Sequence, residues 1–145
     1  MKSLSGKFFM VKVSVEREKE DGLMKRQSES YVVKAISFTD CEAKITQEVG
    51  SYDNVKNSFD VKSEAIAPFK EVFLFDEGEI YYKVKIKETW CDEVTAKENT
   101  TTYNYLVNAG SLDEARKNIV EALGSTLKDY VIAAVVETKV LDLFE

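Results

Sequence analysis

The sequence predicts an α+β protein in which two similar β-β-α-β units follow each other along the chain. Three observations lead to this prediction: two segments align without a gap, apolar residues alternate as in half-buried strands, and a helix start signal follows each second strand. We expect one unit at residues 1–75 and the other at 76–145, each with an antiparallel sheet and one helix. Units of this size bury little surface alone, so we expect the two to share a core.

The internal repeat is clearest between residues 31–49, YVVKAISFTDCEAKITQEV, and residues 105–123, YLVNAGSLDEARKNIVEAL. The flanks repeat in the same order, because FFMVKV at 8–13 matches YYKVKI at 81–86, and the EVF that follows Lys70 matches the DLF that follows Leu141. Two copies are too few for a solenoid, so we predict a pseudo-two-fold arrangement. Identical residues occur at Tyr31/Tyr105, Val33/Val107, Ala35/Ala109, Ser37/Ser111 and Ile45/Ile119.

Alternating apolar residues predict three strands in each half. The polar stretches 16–30 and 88–100 are expected to be long hairpin loops, and Asp21-Gly22 is a turn signal in the first of them. Asp76-Glu77-Gly78 predicts the turn between the halves. The predicted strands are 8–16, 31–37 and 58–64 in the first half, and 80–88, 103–109 and 130–137 in the second.

Each second strand is expected to run into a helix. Ser37 and Ser111 are the predicted N-caps, with Asp40 and Glu114 three residues later in the capping-box pattern. A glycine, at position 50 or 124, is expected to end each helix. The apolar stripes that should face the sheets are Cys41, Ile45 and Val49 in one helix and Ala115, Ile119, Ala122 and Leu123 in the other.

Composition excludes several classes of function. The chain has 145 residues, 26 acidic and 20 basic, which gives a net charge of −6, and it contains no histidine. A Ser-His-Asp triad, a His-ligated metal and an imidazole base are therefore excluded. The sequence contains no nucleotide-binding, EF-hand or catalytic pattern, so we expect a non-enzymatic protein without cofactor or metal. Two cysteines in unrelated contexts and no apolar run of membrane-spanning length predict a cytoplasmic protein.

The sheet face opposite each helix is the candidate functional surface. It alternates aromatic residues with lysines, which is the chemistry of a platform for single-stranded nucleic acid, where bases stack on rings and ammonium groups hold phosphates. The predicted binding residues are Phe8, Lys12, Lys34, Tyr81, Lys83, Lys85, Lys87 and Tyr103, and Lys25, Arg26 and Trp90 are further contacts expected from the loops.

Structural explanations exist for each of these residues. Aromatic strand residues commonly make cores, and the two open faces could pack together or form a dimer interface. A lysine row is also typical of a solvated strand face or a protected edge. Trp90 is the kind of residue that packs over a sheet edge. The terminal Asp142-Leu143-Phe144 is similar to the acidic-hydrophobic ends of bacterial single-stranded DNA-binding proteins, but it also fits a short strand of the fold.

The sequence resembles a known family in four features: an aromatic pair opening a lysine-valine strand, the segment YVVKAISFTDCEAKI, EVF at mid-chain and DLF at the end. This is the uncharacterised domain family common in Bacteroidota genomes, their mobile elements and gut phages, including crAss-like phages. No activity is established for that family, so the resemblance implies no catalytic residues. It does imply an intracellular protein in a phage or mobile-element context.

We therefore expect an accessory protein that binds single-stranded DNA in phage or mobile-element replication or recombination. Its resemblance to whirly-type binders would be one of architecture only. We expect a homo-oligomer that is not bound to a membrane and that binds replication or host proteins. The alternative is a protein-interaction module, such as a phage inhibitor of a host protein or a virion component, because a small acidic protein can block basic sites.

Overall fold

The computed structural model describes residues 1–50, 55–127 and 129–145, and at 55–58 it describes the backbone alone. The fold is mostly β, with two helices and two mixed open sheets, which confirms the predicted α+β class. The elements in chain order are β1 (Lys2–Leu4), β2 (Phe8–Glu18), β3 (Met24–Lys34), α1 (Phe38–Val49), β4 (Val55–Ala67), β5 (Phe69–Leu74), β6 (Ile80–Cys91), β7 (Glu98–Ala109), α2 (Leu112–Leu123), β8 (Tyr130–Glu137) and β9 (Val140–Phe144).

The chain divides into two compact units, which we name by their sheets. The four-stranded unit contains Gly6–Pro68 and Lys139–Glu145, with strand order β4-β2-β3-β9. The five-stranded unit contains Met1–Ser5 and Phe69–Thr138, with strand order β1-β5-β7-β6-β8. The predicted division at residues 75/76 concerns the sequence repeat and stays a prediction.

The prediction of purely antiparallel sheets was wrong for one strand pair in each sheet. β9 pairs in parallel with β3, and β5 pairs in parallel with β7. Parallel neighbours need a long connection, and each pair has one, because a helix and further strands separate its members along the chain. The terminal segment is therefore a strand of the fold, as one of the two sequence interpretations held.

The two predicted hairpin loops are strands for most of their length. Glu18 pairs with Met24, and Cys91 pairs with Glu98, so only short turns connect the strands. Residues 18–28 and most of 90–98 are exposed on both faces of ribbons that extend beyond the cores, so these parts are mostly polar on both sides. They lack the alternating apolar pattern on which the prediction depended. The predicted turn at Gly22 is present, with φ 82°.

The helices begin as predicted and cover one face of each sheet. Ser37 accepts a hydrogen bond from the Asp40 backbone N–H, and Ser111 does the same for Glu114. Each helix buries its predicted stripe, in which only Ala122 stays partly exposed. The core of the four-stranded unit joins the α1 stripe to Phe9, Val11, Val13, Val15, Tyr31, Val33, Ala35 and Phe144, and that of the five-stranded unit joins the α2 stripe to Phe73, Tyr82, Val84, Ile86, Tyr105, Val107, Ala109 and Leu127.

Neither helix in the described part of the chain is long and apolar enough to span a membrane.

Candidate nucleic-acid interface

Three lysines of β6 form a row on the face of the five-stranded sheet opposite α2. Lys83, Lys85 and Lys87 are exposed, whereas Val84 and Ile86 between them are buried in the core. Residues two apart on a strand share a face and lie about 7 Å from each other. The alternation therefore produces an evenly spaced lysine row, as the sequence predicted.

The strand positions beside the lysine row carry no negative charge. Lys83 pairs with Leu106 and Val136, Lys85 pairs with Asn104 and Ala134, and Lys87 pairs with Thr102 and Val131. None of these six neighbours is acidic, although the whole chain has a net charge of −6. The row is therefore a local cationic surface on an acidic protein.

A shallow groove of about 340 Å³ lies along this row. Lys83 and Lys85 line it together with Asn104, Ala134 and Val136. The groove thus combines two ammonium groups, one amide and an apolar floor. Such a combination suits a ligand with both anionic and flat apolar parts.

The same sheet face is closed where it reaches β5 and β1. Phe69 pairs with Asn104, Val72 pairs with Leu106, and Leu4 pairs with Val72. Phe69, Val72, Leu106 and Leu4 are all buried. The face predicted to be wholly open is therefore buried at these positions of β1, β5 and β7, while the lysine row and its β8 neighbours Val131 and Val136 are exposed.

Two of the predicted aromatic residues of this unit do not share the face of the lysine row. Tyr103 pairs with Ile86 and packs against the core on the α2 side, where the Lys70 Nζ lies 3.8 Å from its ring centre. Trp90 lies in β6 rather than in a loop, and strand alternation puts it on the α2 side as well. Its Nε1–H donates to the Thr101 hydroxyl at 2.8 Å, and its side chain is 45% exposed.

Tyr81 is the predicted aromatic residue that does share the face of the lysine row. It precedes Lys83 by two residues and is half-buried. A ring at this end of the row can stack against one base.

The remaining predicted residues belong to the four-stranded unit. Phe8 is 1% exposed, so its ring is not accessible for stacking, because apolar strand residues of this size are commonly core residues. Lys34 is half-buried, while Lys12 and Lys25 are exposed. Lys12 borders a groove of about 420 Å³ together with Lys139, which the sequence analysis did not single out.

Arg26, also in this unit, is engaged by other side chains rather than free to clamp a phosphate. Its Nη1 donates to the Ser14 hydroxyl at 2.7 Å, and its guanidinium lies 3.8 Å from carboxylate oxygens of Glu16 and Asp60. These carboxylates reduce the attraction that Arg26 would have for a phosphate.

Sequence reasoning missed a buried polar cluster at the far end of the four-stranded core. The carboxylate of Glu29 accepts two hydrogen bonds of 2.6 Å from Arg17, one of 2.6 Å from Gln27 and one of 2.8 Å from the Tyr31 hydroxyl. Burial alone would raise the pKa of Glu29, but the hydrogen bonds from Arg17, Gln27 and Tyr31 outweigh it and hold that pKa below its usual value. The sequence did contain a signal for this cluster. Arg17 continues the alternation of the buried residues of β2, and Glu29 continues that of the buried residues of β3, so both could have been expected on the core side of the sheet.

The cysteines show no reactive pairing. Cys41 is buried, and burial followed by the charge of Glu64 raises the pKa of its thiol to about 12. Cys91 is exposed. Among the residues that the structure describes, no group of three or more cysteine, aspartate or glutamate side chains is placed to hold a metal ion.

The fold and the lysine row describe a small α+β protein with a row of exposed lysines on one strand and a net charge of −6. The chain belongs to the family described as a domain of unknown function (DUF4494), whose model matches residues 7–145. The resemblance noted in the sequence is thereby confirmed at the level of an uncharacterised domain family. No curated protein and no solved structure matches the chain.

Proposed function

We propose that the protein binds single-stranded nucleic acid without catalysing a reaction, and that the lysine row of the five-stranded unit holds the phosphates. The observation that carries this proposal is the row itself: Lys83, Lys85 and Lys87 are exposed on one face, and none of their strand neighbours is acidic. Three ammonium groups on one strand face, with no carboxylate among their strand neighbours, attract anions such as phosphates.

A single strand fits this surface better than a duplex. The lysines are about 7 Å apart, which allows successive ammonium groups to follow one extended backbone. The groove beside them offers the Asn104 amide and the apolar side chains of Ala134 and Val136, against which an unstacked base can lie. Tyr81 would add one stacking contact at the end of the row.

We also propose that the chain is the tandem repeat that the sequence predicts, with a whirly-like arrangement as an analogy only. The strand registers support it. Tyr31 pairs with Asp142 and Val33 with Phe144, and their aligned counterparts Tyr105 and Val107 pair with Glu71 and Phe73. The ring stacking matches as well, because Tyr31–Phe144 and Phe73–Tyr105 have centre distances of 5.3 and 5.5 Å.

The biological setting that fits is an accessory protein of phage or mobile-element DNA replication or recombination, in the cytoplasm of the cell or of the infected host. Partners among replication or host proteins belong to this proposal. It rests on the lysine row and on the setting that the family resemblance implies.

The test is fluorescence anisotropy with labelled oligo-dT, oligo-rU and a duplex of the same length, at several salt concentrations. We expect salt-dependent binding to the single strands, with little sequence preference. The triple variant K83Q/K85Q/K87Q should bind about tenfold more weakly or worse, and its slope of log K against log salt should fall by about 2, since each phosphate contact on a single strand contributes about 0.7.

The matched control is K19Q/K97Q/K117Q, which removes three exposed lysines elsewhere and changes the net charge equally. It should leave both affinity and salt slope close to those of the wild type. Equal losses of affinity in the two triple variants would show that binding depends on net charge and not on the lysine row. An affinity that does not change with salt concentration would contradict phosphate contacts.

A protein-interaction module, such as a phage inhibitor of a host protein or a virion component, is the second candidate. The placement of Tyr103 on the other face supports it, because it leaves the lysine row with Tyr81 alone among the predicted stacking residues of its unit. Absence of binding to every oligonucleotide at low salt would favour this candidate.

A further inference from the structure

Three of the four edge strands of the two sheets are short or carry exposed charges. β1 has three residues, including exposed Lys2, and β9 has five, including exposed Asp142. β4 is long, but exposed Asp60 and Lys62 lie on it. Short length and charges on an edge oppose pairing with another strand, and lysine does so best.

The fourth edge strand, β8, lacks this protection. It reads YVIAAVVE and has no charged residue before Glu137. β8 pairs with β6 on one side, and it is the end strand of its sheet. Val131 and Val136 are 60% and 54% exposed. A long apolar edge of this kind is a surface to which another strand adds.

The contrast with β4 is sharpest at one aligned position. In β4, Val13 pairs with Val61 and Lys12 with Ser63, which leaves Lys62 without a partner on β2. In β8, Ile86 pairs with Ile132 and Lys85 with Ala134, which leaves Ala133 without a partner on β6. Both strands therefore have a bulge at the same place, but β4 has a lysine there and β8 an alanine.

We infer that β8 is a self-association edge, on which the β8 strand of a second copy of this chain pairs in the antiparallel direction. The strand is complementary to itself about a two-fold axis between Ala133 and Ala134. Val131 then opposes Val136, and Ile132 opposes Val135. Glu137 opposes Tyr130, so no like charges meet.

The bulge makes this register consistent with the sheet faces. Val136 pairs with Lys83 and Val131 pairs with Lys87, so both valines lie on the face of the lysine row although an odd number of residues separates them. Ile132 and Val135 both pack on the core side. Opposed side chains in an antiparallel pair share a face, and the pairs Val131/Val136 and Ile132/Val135 of this register do so.

The dimer should be weak, because pairing of one eight-residue strand buries less than the roughly 1,200 Å² typical of stable complexes. It would join two five-stranded sheets edge to edge, with both lysine rows on the same face. Self-association needs no nucleic acid, so the dimer can be tested independently of the proposed function.

Register-specific cysteine cross-linking tests the pairing in the full chain with C91S as background, since Cys91 is exposed and Cys41 is buried. V131C and V136C proteins are prepared separately and oxidised at high concentration, alone and mixed. Opposed positions come within disulfide distance, whereas Val131 lies about 17 Å from its own copy. We expect a disulfide-linked dimer several-fold more abundant in the mixture than in either protein alone. Equal yields in all three samples would overturn the register.

Sedimentation velocity from micromolar to near-millimolar concentration tests the association itself. The wild type should show a concentration-dependent dimer. A133K, which copies the lysine of the β4 bulge, should weaken it at least tenfold, whereas A43K, at an exposed position of α1, should not. A monomer at every concentration, with no cross-link in the mixture, overturns the inference and leaves the edge to a different protein. Dimerisation of A133K equal to that of the wild type overturns it as well.

Discussion

The buried cluster around Glu29 leads to a prediction about stability. The Glu29 side chain is 4% exposed, and the Arg17 side chain that it binds through two hydrogen bonds is 15% exposed. Glu29→Gln keeps the size of the side chain but removes the charge that balances Arg17. Removing one partner of a buried ion pair costs about 3–5 kcal/mol, because the other charge stays desolvated.

Urea unfolding at pH 7, followed by circular dichroism, measures the effect. With a destabilisation of about 3 kcal/mol and a slope of about 1.5 kcal/mol per molar, the midpoint should fall by about 2 M. Glu16→Gln is the matched control, since Glu16 forms a longer 3.8 Å ion pair with Arg26 in which both side chains are about 40% exposed. It should cost less than about 1 kcal/mol.

The pH dependence provides a second measurement of the same cluster. The hydrogen bonds from Arg17, Gln27 and Tyr31 hold the folded-state pKa of Glu29 below its unfolded value, against the opposing effect of burial. Such a carboxyl stabilises the fold above the unfolded pKa of about 4.3, and this stabilisation is lost as the pH falls through the folded pKa. Wild type should therefore lose stability on acidification more steeply than E29Q. Equal midpoints for E29Q and E16Q at pH 7 would refute the assignment of a stabilising ion pair.

Three further predictions concern single side chains. Phe144→Ala should cost about 3–5 kcal/mol of unfolding free energy, because Phe144 is buried and stacks on Tyr31, whereas Leu141→Ala in the same strand, at an exposed position, should cost little. Glu64→Gln should stabilise the protein by about 1 kcal/mol at pH 7, since burial and then Glu42 raise the pKa of Glu64, one oxygen of which has no partner in the described part of the chain. The gain should vanish below the unfolded pKa, as wild-type Glu64 becomes protonated. A thiol reagent should modify Cys91 at once and Cys41 only on unfolding, as mass spectrometry would show.

The sequence predicted those elements that have a local signal. The capping serines, the buried stripes of both helices and the alternation of β6 were all recognisable, because each depends on residues within one or two turns or strand repeats. The exposure of Lys83, Lys85 and Lys87 followed from the same alternation. The N-terminal strand β1 was missed, because three residues are too few to show a period.

The errors have physical causes of two kinds. The polar ends of β2, β3, β6 and β7 carry no apolar pattern, since both faces of the ribbon meet solvent. Phe8 and Tyr103 were assigned to the binding surface because of their residue type, although the Phe8 ring is buried and strand parity puts Tyr103 on the α2 side of its sheet. The parallel pairing of β5 with β7 and of β9 with β3 could not be predicted, because it depends on how segments that are distant in the sequence meet.

The aligned positions of the two sheets suggest where function lies. The lysine row of β6 aligns with Met10, Lys12 and Ser14 of β2, and of these only Lys12 is charged and exposed. At the bulge of the edge strands β4 and β8 the lysine belongs to the other unit, because the four-stranded unit has Lys62 where the five-stranded unit has Ala133. Three lysines thus lie on this face of the five-stranded sheet and one on the aligned face of the four-stranded sheet, whereas the lysine at the edge-strand bulge belongs to the four-stranded sheet. A lysine on an edge prevents pairing, whereas lysines on a face attract anions, so we infer that the five-stranded unit carries the binding surface.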